Sequence, residues 1–160
     1  MAAYIKFDGV DGPSEIKGHE KWIVLDNWGW GAERGVSAGN QIGLASGITK
    51  FEALNFTAPI GSASLIMFQK MVDGEHFPKV TIHCTKSTGE GAPKVWLRLD
   101  LEHVLVTKIA QNVDEDENND EVELAFSRLE MGIKNQKADG KLESKEYLFK
   151  YDLTKTSSED

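Results

Sequence analysis

Apolar and polar residues alternate with period two along most of the chain, which is the pattern of half-buried β-strands. The first such run spans residues 4–8 and is stopped by Gly9 and by Gly12-Pro13. Longer runs cover residues 16–30 and 47–57, the second with Ile48, Phe51, Leu54 and Phe56 as its apolar members. Residues 79–85 place Val80, Ile82 and Cys84 on one face and Thr81, His83 and Thr85 on the other. Residues 95–107 set Val95, Leu97, Leu99 and Leu101 against Arg98, Asp100 and Glu102. Residues 121–133 and 145–153 continue the alternation, with Tyr147, Phe149, Tyr151 and Leu153 sharing a face.

One segment has a different rhythm. From Ser62 to Asp73, Leu65, Phe68 and Val72 recur at spacings of three and four, and Met67 and Met71 are four apart. This predicts one helix, capped by Ser62 and ended by Gly74. Three strands also change parity part-way. Apolar positions move from odd (Ile23, Leu25) to even (Trp28, Trp30), from Leu99 and Leu101 to Val104 and Val106, and from Val122 and Leu124 to Leu129 and Met131. One inserted residue produces such a switch, so bulges are expected near residues 26–27, 102–103 and 127–128. Strands bent this often close on themselves. The expected fold is mainly β: a small closed β-barrel with one flanking α-helix and a long extended loop. Residues 1–155 form the single domain, and residues 156–160 a short polar tail.

Composition narrows the function. The chain has 160 residues, 40% hydrophobic and 28% charged, with a net charge of -8. That suits one globular domain and argues against nucleic acid as the main partner, since phosphate binding needs a basic face. The single cysteine, Cys84, excludes an internal disulfide. The amino terminus has no basic stretch followed by an apolar run, so no cleaved signal peptide is expected, and no stretch approaches the length of a membrane span.

Candidate chemistry is sparse. Gly31, Gly35, Gly39, Gly43 and Gly47 fall at a spacing of four. The charged and amide residues between them rule out a membrane helix, and no Lys-Ser/Thr follows to make a phosphate loop. They mark a long loop over residues 31–46, of a kind that is uncommon inside a compact domain unless it has a task. The acidic run at residues 114–121 begins like a calcium loop, but Asn119 and Ala125 stand where glycine and glutamate are needed. It is a solvated hairpin turn. The four histidines have no zinc-ligand spacing, and His83 and Cys84 point to opposite faces of a strand. No nucleophile, metal set or acid–base pair stands out, so no enzyme activity and no cofactor are expected. Trp28 and Trp30 lie on one side of their strand, as core anchors or as an exposed aromatic platform for a sugar-like ligand.

Taken in order, several short motifs resemble the haemolysin-coregulated proteins, the Hcp family of the type VI secretion system. They are the opening Tyr4-Ile5-Lys6-Phe7-Asp8 with Val10-Asp11-Gly12-Pro13-Ser14, Trp28-Gly29-Trp30-Gly31 before a glycine-rich loop, and Phe56-Thr57 before the helix. Gly74-Glu75-His76-Phe77-Pro78, Leu101-Glu102-His103-Val104-Leu105-Val106 and Gln136-Lys137-Ala138-Asp139-Gly140 complete the set. The opening motif departs from the family's usual Gly-Glu-Ser at Gly12-Pro13-Ser14, within a turn.

The resemblance implies a tube subunit. Six copies would form a ring, and rings would stack into the injected tube with effector proteins in the lumen. Spike-tip and contractile sheath proteins would be its partners, and it would leave the bacterial cytoplasm without a cleaved signal. No toxin domain is expected beyond the last strand. On this view Asn27 and Gly29 face the channel, and Gly31, Gly35, Gly39 and Gly43 belong to an assembly loop. Trp28, Trp30, Phe56, Leu65 and Phe68 anchor the core, while Val104 and Val106 lie on outer faces available for contact. The competing expectation is a monomeric β-barrel that binds a sugar-like ligand through exposed Trp28 and Trp30.

Overall fold

The computed structural model describes residues 1–37 and 45–155. In chain order the strands are β1 (Ala2–Phe7), β2 (Ile23–Leu25), β3 (Asn27–Gly29), β4 (Ala32–Ser37), β5 (Ala45–Phe51) and β6 (Leu54–Pro59). After helix α1 (Ser62–Asp73) come β7 (Phe77–Lys86), β8 (Lys94–Val113), β9 (Asn118–Ala125), β10 (Arg128–Ile133) and β11 (Tyr147–Asp152). A short 3₁₀ turn, Leu153–Lys155, follows. Nine of these strands form one antiparallel sheet in the order β2-β1-β7-β8-β9-β6-β3, with β10 branching from β8 and β11 pairing β10.

Each expected parity switch marks the place where the chain changes strand partner. At Asp26, β2 stops pairing with β1 and β3 starts pairing with β6. At His103, which has φ of 56°, β8 turns from β7 to β9. Between β9 and β10 the chain stays on β8, moving from its second half to its first, and exchanges β6 for β11 as its other neighbour. The last two bends are neighbours, since Ser127 N–H donates to the Glu102 carbonyl at 3.1 Å. The expected strands at residues 16–30 and 121–133 are therefore each divided, and 47–57 is divided separately between Phe51 and Leu54, whereas β8 runs unbroken for 20 residues.

The mainly-β class holds, but the strand ladder does not complete a circle among the described residues. Its two ends, β2 and β3, are consecutive pieces of one segment joined by Asp26, whose N–H donates to the Thr57 carbonyl at 2.8 Å. The circuit is completed by the covalent chain. Inside it, Phe7 of β1 packs against Phe56 of β6 and Phe77 of β7, with ring centres 6.0 and 4.9 Å apart. Ile5, Leu54, Val80, Ile82, Leu99, Leu101, Val122 and Leu124 fill the rest of one continuous core.

Two expectations about faces are overturned. Val104 and Val106 are fully buried, because the bend at His103 rotates the strand and turns its even positions inward. In α1, which packs against β8, Leu65 is 70% exposed and Val72 74%. The buried positions are Ala63, Ser64 and Met67, with Met71 packed at the edge of the core and Phe68 half-buried. Two stripes of matching period compete on this helix, and the one flanked by small residues lets the backbone approach the sheet. The cap differs too: Gly61 precedes the helix, and its N–H donates to Ser64 Oγ at 3.1 Å. Gly74 ends it as expected, at φ 68° and ψ 24°, with its N–H and that of Glu75 turned back onto Met71 and Lys70.

Candidate assembly surface

β3 carries the two residues expected to face a channel. Its neighbour Trp28 turns toward the core, and the indole N–H donates to Cys84 Sγ on β7 at 3.3 Å. Burial pushes the Cys84 thiol pKa up, which keeps it protonated and unreactive at neutral pH. Asn27 is exposed, and a Cβ added at Gly29 would meet only Asn55 Oδ1 at 3.9 Å, so this side of the strand is open. Trp28 and Trp30 both pack against the core and are half-buried, as is Phe68, while Phe56 is fully buried. The exposed double platform that a sugar-binding module needs is absent from these two residues.

The glycine-rich segment is a β-hairpin arm rather than an irregular loop. β4 and β5 pair as a separate two-stranded sheet, with the register shifting between Arg34 and Val36, on either side of Gly35. Gly31 sits at the root, where its carbonyl accepts the Glu52 N–H at 2.8 Å. Gly39 and Gly43 lie outside the described residues. A two-stranded ribbon is marginal on its own, so its root needs a hold. A row of rings supplies one. Trp30 stacks on Phe51, Phe51 lies 4.4 Å from Tyr151 of β11, and Tyr151 lies 6.5 Å from Phe149.

Among the described residues β11 is the outer strand of its branch and pairs with β10 alone. One row of its backbone groups is therefore free, and Tyr147, Leu148 and Phe149 are about half exposed. Its two ends are fastened by arginines. Arg128 Nε donates to Asp152 at 2.9 Å. Arg98 grips Glu146 with a fork, Nε to Oε2 at 3.0 Å and Nη2 to Oε1 at 2.9 Å, while also bonding Glu130 and Asp100. These carboxylates push the Arg98 pKa further up, and the arginine fork holds Glu146 below the usual carboxylate range. The fork lies over bare backbone: a Cβ at Gly132 would sit 2.6 Å from the Glu146 carboxyl carbon.

Three polar constellations escape sequence reasoning. The Arg98 fork joins residues 48 apart, and the His19–His83 hydrogen bond residues 64 apart, beyond any local period. The third carried a usable signal. Asp120, read with the solvated acidic run, is fully buried and accepts from Ser64 of α1 and from Gln111. It shares parity with the inward Val122 and Leu124. Only residues 114–117 are the solvated turn, where Asp114 accepts the N–H groups of Asp116 and Glu117; the run continues from Asn118 as β9. Among the described residues no three His, Cys, Asp or Glu side chains converge as metal ligands, and no helix is long and apolar enough to cross a membrane.

The family model for the type VI secretion system effector Hcp matches residues 4–132. The chain belongs to the Hcp family. A solved structure described as a type six secretion system protein has a TM-score of 0.88 at 24% identity, over 98% of each chain. Hcp1 from Salmonella typhimurium gives 0.77 at 21%, over 97% of this chain and 96% of that one. A type VI secretion system effector from Yersinia pestis gives 0.73 at 21%, over 94% and 98%. At these identities the structural likeness speaks for the fold, and membership rests on the family match. No curated protein matches by sequence. Membership places this Hcp chain in the type VI secretion system, and the family is a secreted one.

Proposed function

We propose that this Hcp chain is the tube subunit of the apparatus. Six copies close into a ring through one head-to-tail contact repeated around an axis, and rings stack into a tube whose lumen carries effector proteins. It acts structurally, without a cofactor or catalytic residues, and leaves the cytoplasm through the system it helps to build. Spike-tip and sheath proteins meet the tube at its end and its outer wall. The Hcp match over residues 4–132 carries this proposal. An unpaired, apolar edge at β11 supports it, since a lone monomer would have reason to blunt such an edge. Asn27 and Gly29 are assigned to the channel side, and the β4–β5 arm to contact with a neighbouring subunit or ring.

Native mass spectrometry at micromolar concentration should show a species of six subunit masses, and electron micrographs should show rings. A sharp monomer peak would sink the proposal. Gly29→Arg should leave the ring intact, because the site is open, and should exclude cargo that co-purifies with the native protein. Unfolding of the Gly29→Arg subunit would instead show that this side of β3 faces packed protein. Shortening the arm should leave the sheet folded and impair stacking or secretion.

A further inference from the structure

Between β1 and β2, residues 8–22 leave the sheet and return as a strap over the face that carries Tyr4 and His83, which are opposite each other in the β1–β7 ladder. Hydrogen bonds from Ser14 to the Trp22 carbonyl, from Lys21 to Ser14 and from Trp22 to His19 fold the strap on itself. Lys6 ties its flanks by bonding the carbonyls of Val10 and Lys21. His19 fixes its centre. The imidazole is buried, stacks on Tyr4 at 4.4 Å and meets Trp22 edge-on at 4.9 Å. Its Nε2 lies 3.0 Å from Nδ1 of His83, whose ring packs against Trp22 at 4.7 Å.

Two imidazole nitrogens at this distance need one N–H and one lone pair. Two neutral rings supply them, and so does a pair sharing one extra proton. Two imidazolium rings set N–H against N–H and charge against charge. The surrounding charges do not remove that conflict. Glu20 on the strap favours a charged His19; on β8, Asp100 favours a charged His83 and Arg98 opposes it. Tyr4 and Trp22 bring no charge.

We propose that the His19–His83 pair is an acid-released latch: it holds the strap down while at most one ring is protonated and lets it lift when both are. Lifting uncovers Tyr4 and His83 and loosens β2, the terminal strand of the sheet beside the strap. This goes beyond tube assembly and does not depend on it. Burial depresses both histidines, His83 to about 4, so the release belongs below about pH 5.

Amide hydrogen exchange of the full chain, followed by NMR and corrected for intrinsic rates, tests this. A ring held at about 4 rather than 6.5 bounds the gain in strap opening between pH 7 and pH 4.5 at about fiftyfold. Water screening at the half-buried His83 brings the expectation to about tenfold. Amides 14–22 should show that acceleration while α1 amides do not, and the two imidazoles should titrate as a coupled pair. His83→Gln and His19→Gln keep a hydrogen-bonding partner that does not titrate, and each should flatten the response. If one variant fails to fold, the other decides. Strap exchange indifferent to pH, rings titrating independently near 6.5, or a full acid response in either glutamine variant would overturn the proposal.

Discussion

Gly132 is the position where the smallest substitution tests the largest polar contact. Nothing in its backbone conformation demands glycine, since its φ is not positive. What excludes a methyl group is the Glu146 carboxyl, 2.6 Å from where the Cβ would stand, with Arg98 Nε at 3.0 Å. The carboxyl is the mobile end of a side chain, so Gly132→Ala should displace it rather than break the strand. The cost is then the Arg98–Glu146 fork. A two-pronged, charge-assisted contact at side chains that keep 25% and 29% of their surface in water contributes about 1–2 kcal/mol. Alanine returns about 0.5–1 kcal/mol in a strand by restricting the unfolded chain. The net expectation is a loss of about 1 kcal/mol in the native background. With Glu146→Ala already present there is no fork to displace, and Gly132→Ala should be neutral or stabilising. Urea unfolding of the four members of this cycle measures the coupling. An equal cost of Gly132→Ala in both backgrounds would refute the account and place the strain in the backbone.

Other expectations follow from neighbouring features. Trp28→Ala should cost about 2–4 kcal/mol, because a large half-buried ring leaves a cavity, and should make Cys84 reactive toward a thiol reagent. Met67→Ala should cost about 2–4 kcal/mol in a urea melt, while Leu65→Gln should stay within about 0.5 kcal/mol; the reverse order would mean that α1 presents the opposite face. Asp120→Ala strands Ser64 and Gln111 and should lose about 2–3 kcal/mol, with Asp120→Asn recovering part of it. Because His83 is depressed to about 4, the unfolded chain takes a proton that the folded one refuses. The urea midpoint should therefore hold above pH 6.5 and fall toward pH 4, and His83→Gln should shrink that fall.

Period and parity carried the architecture because they report which face of an element meets the core. The helix bounds were legible from Ser62 to Asp73, and three parity switches located the bends at Asp26, at His103 and between Ala125 and Arg128. Parity cannot say what happens at a bend, so the expected strands at residues 16–30 and 121–133 each became two while β8 stayed whole, and Val104 and Val106 were placed outside when they turn in. Leu65 and Met67 show a second limit. Both lie on stripes of helical period, and only the packing of Ala63 and Ser64 against the sheet selects one. The glycine spacing exposed the arm but not its pairing, because glycine has no side chain to register an alternation. The Arg98 fork and the histidine latch stayed hidden because each forms between side chains that only the assembled sheet brings together.

The joint at Asp26 bears on how the molecule is built in time. The segment from Ile23 to Gly29 must be gripped on one half by β1, near the amino terminus, and on the other by β6, some thirty residues further along. Both grips are short in sequence and can form without β7, β8 and β9, which lie between β1 and β6 in the sheet and are synthesised later. The circuit closes instead on the β1–β7 and β6–β9 pairings, which join strands far apart in sequence, and the larger loop-closure entropy falls on them. A nascent or stalled chain would carry β1 and β6 with the edges that take β7 and β9 bare.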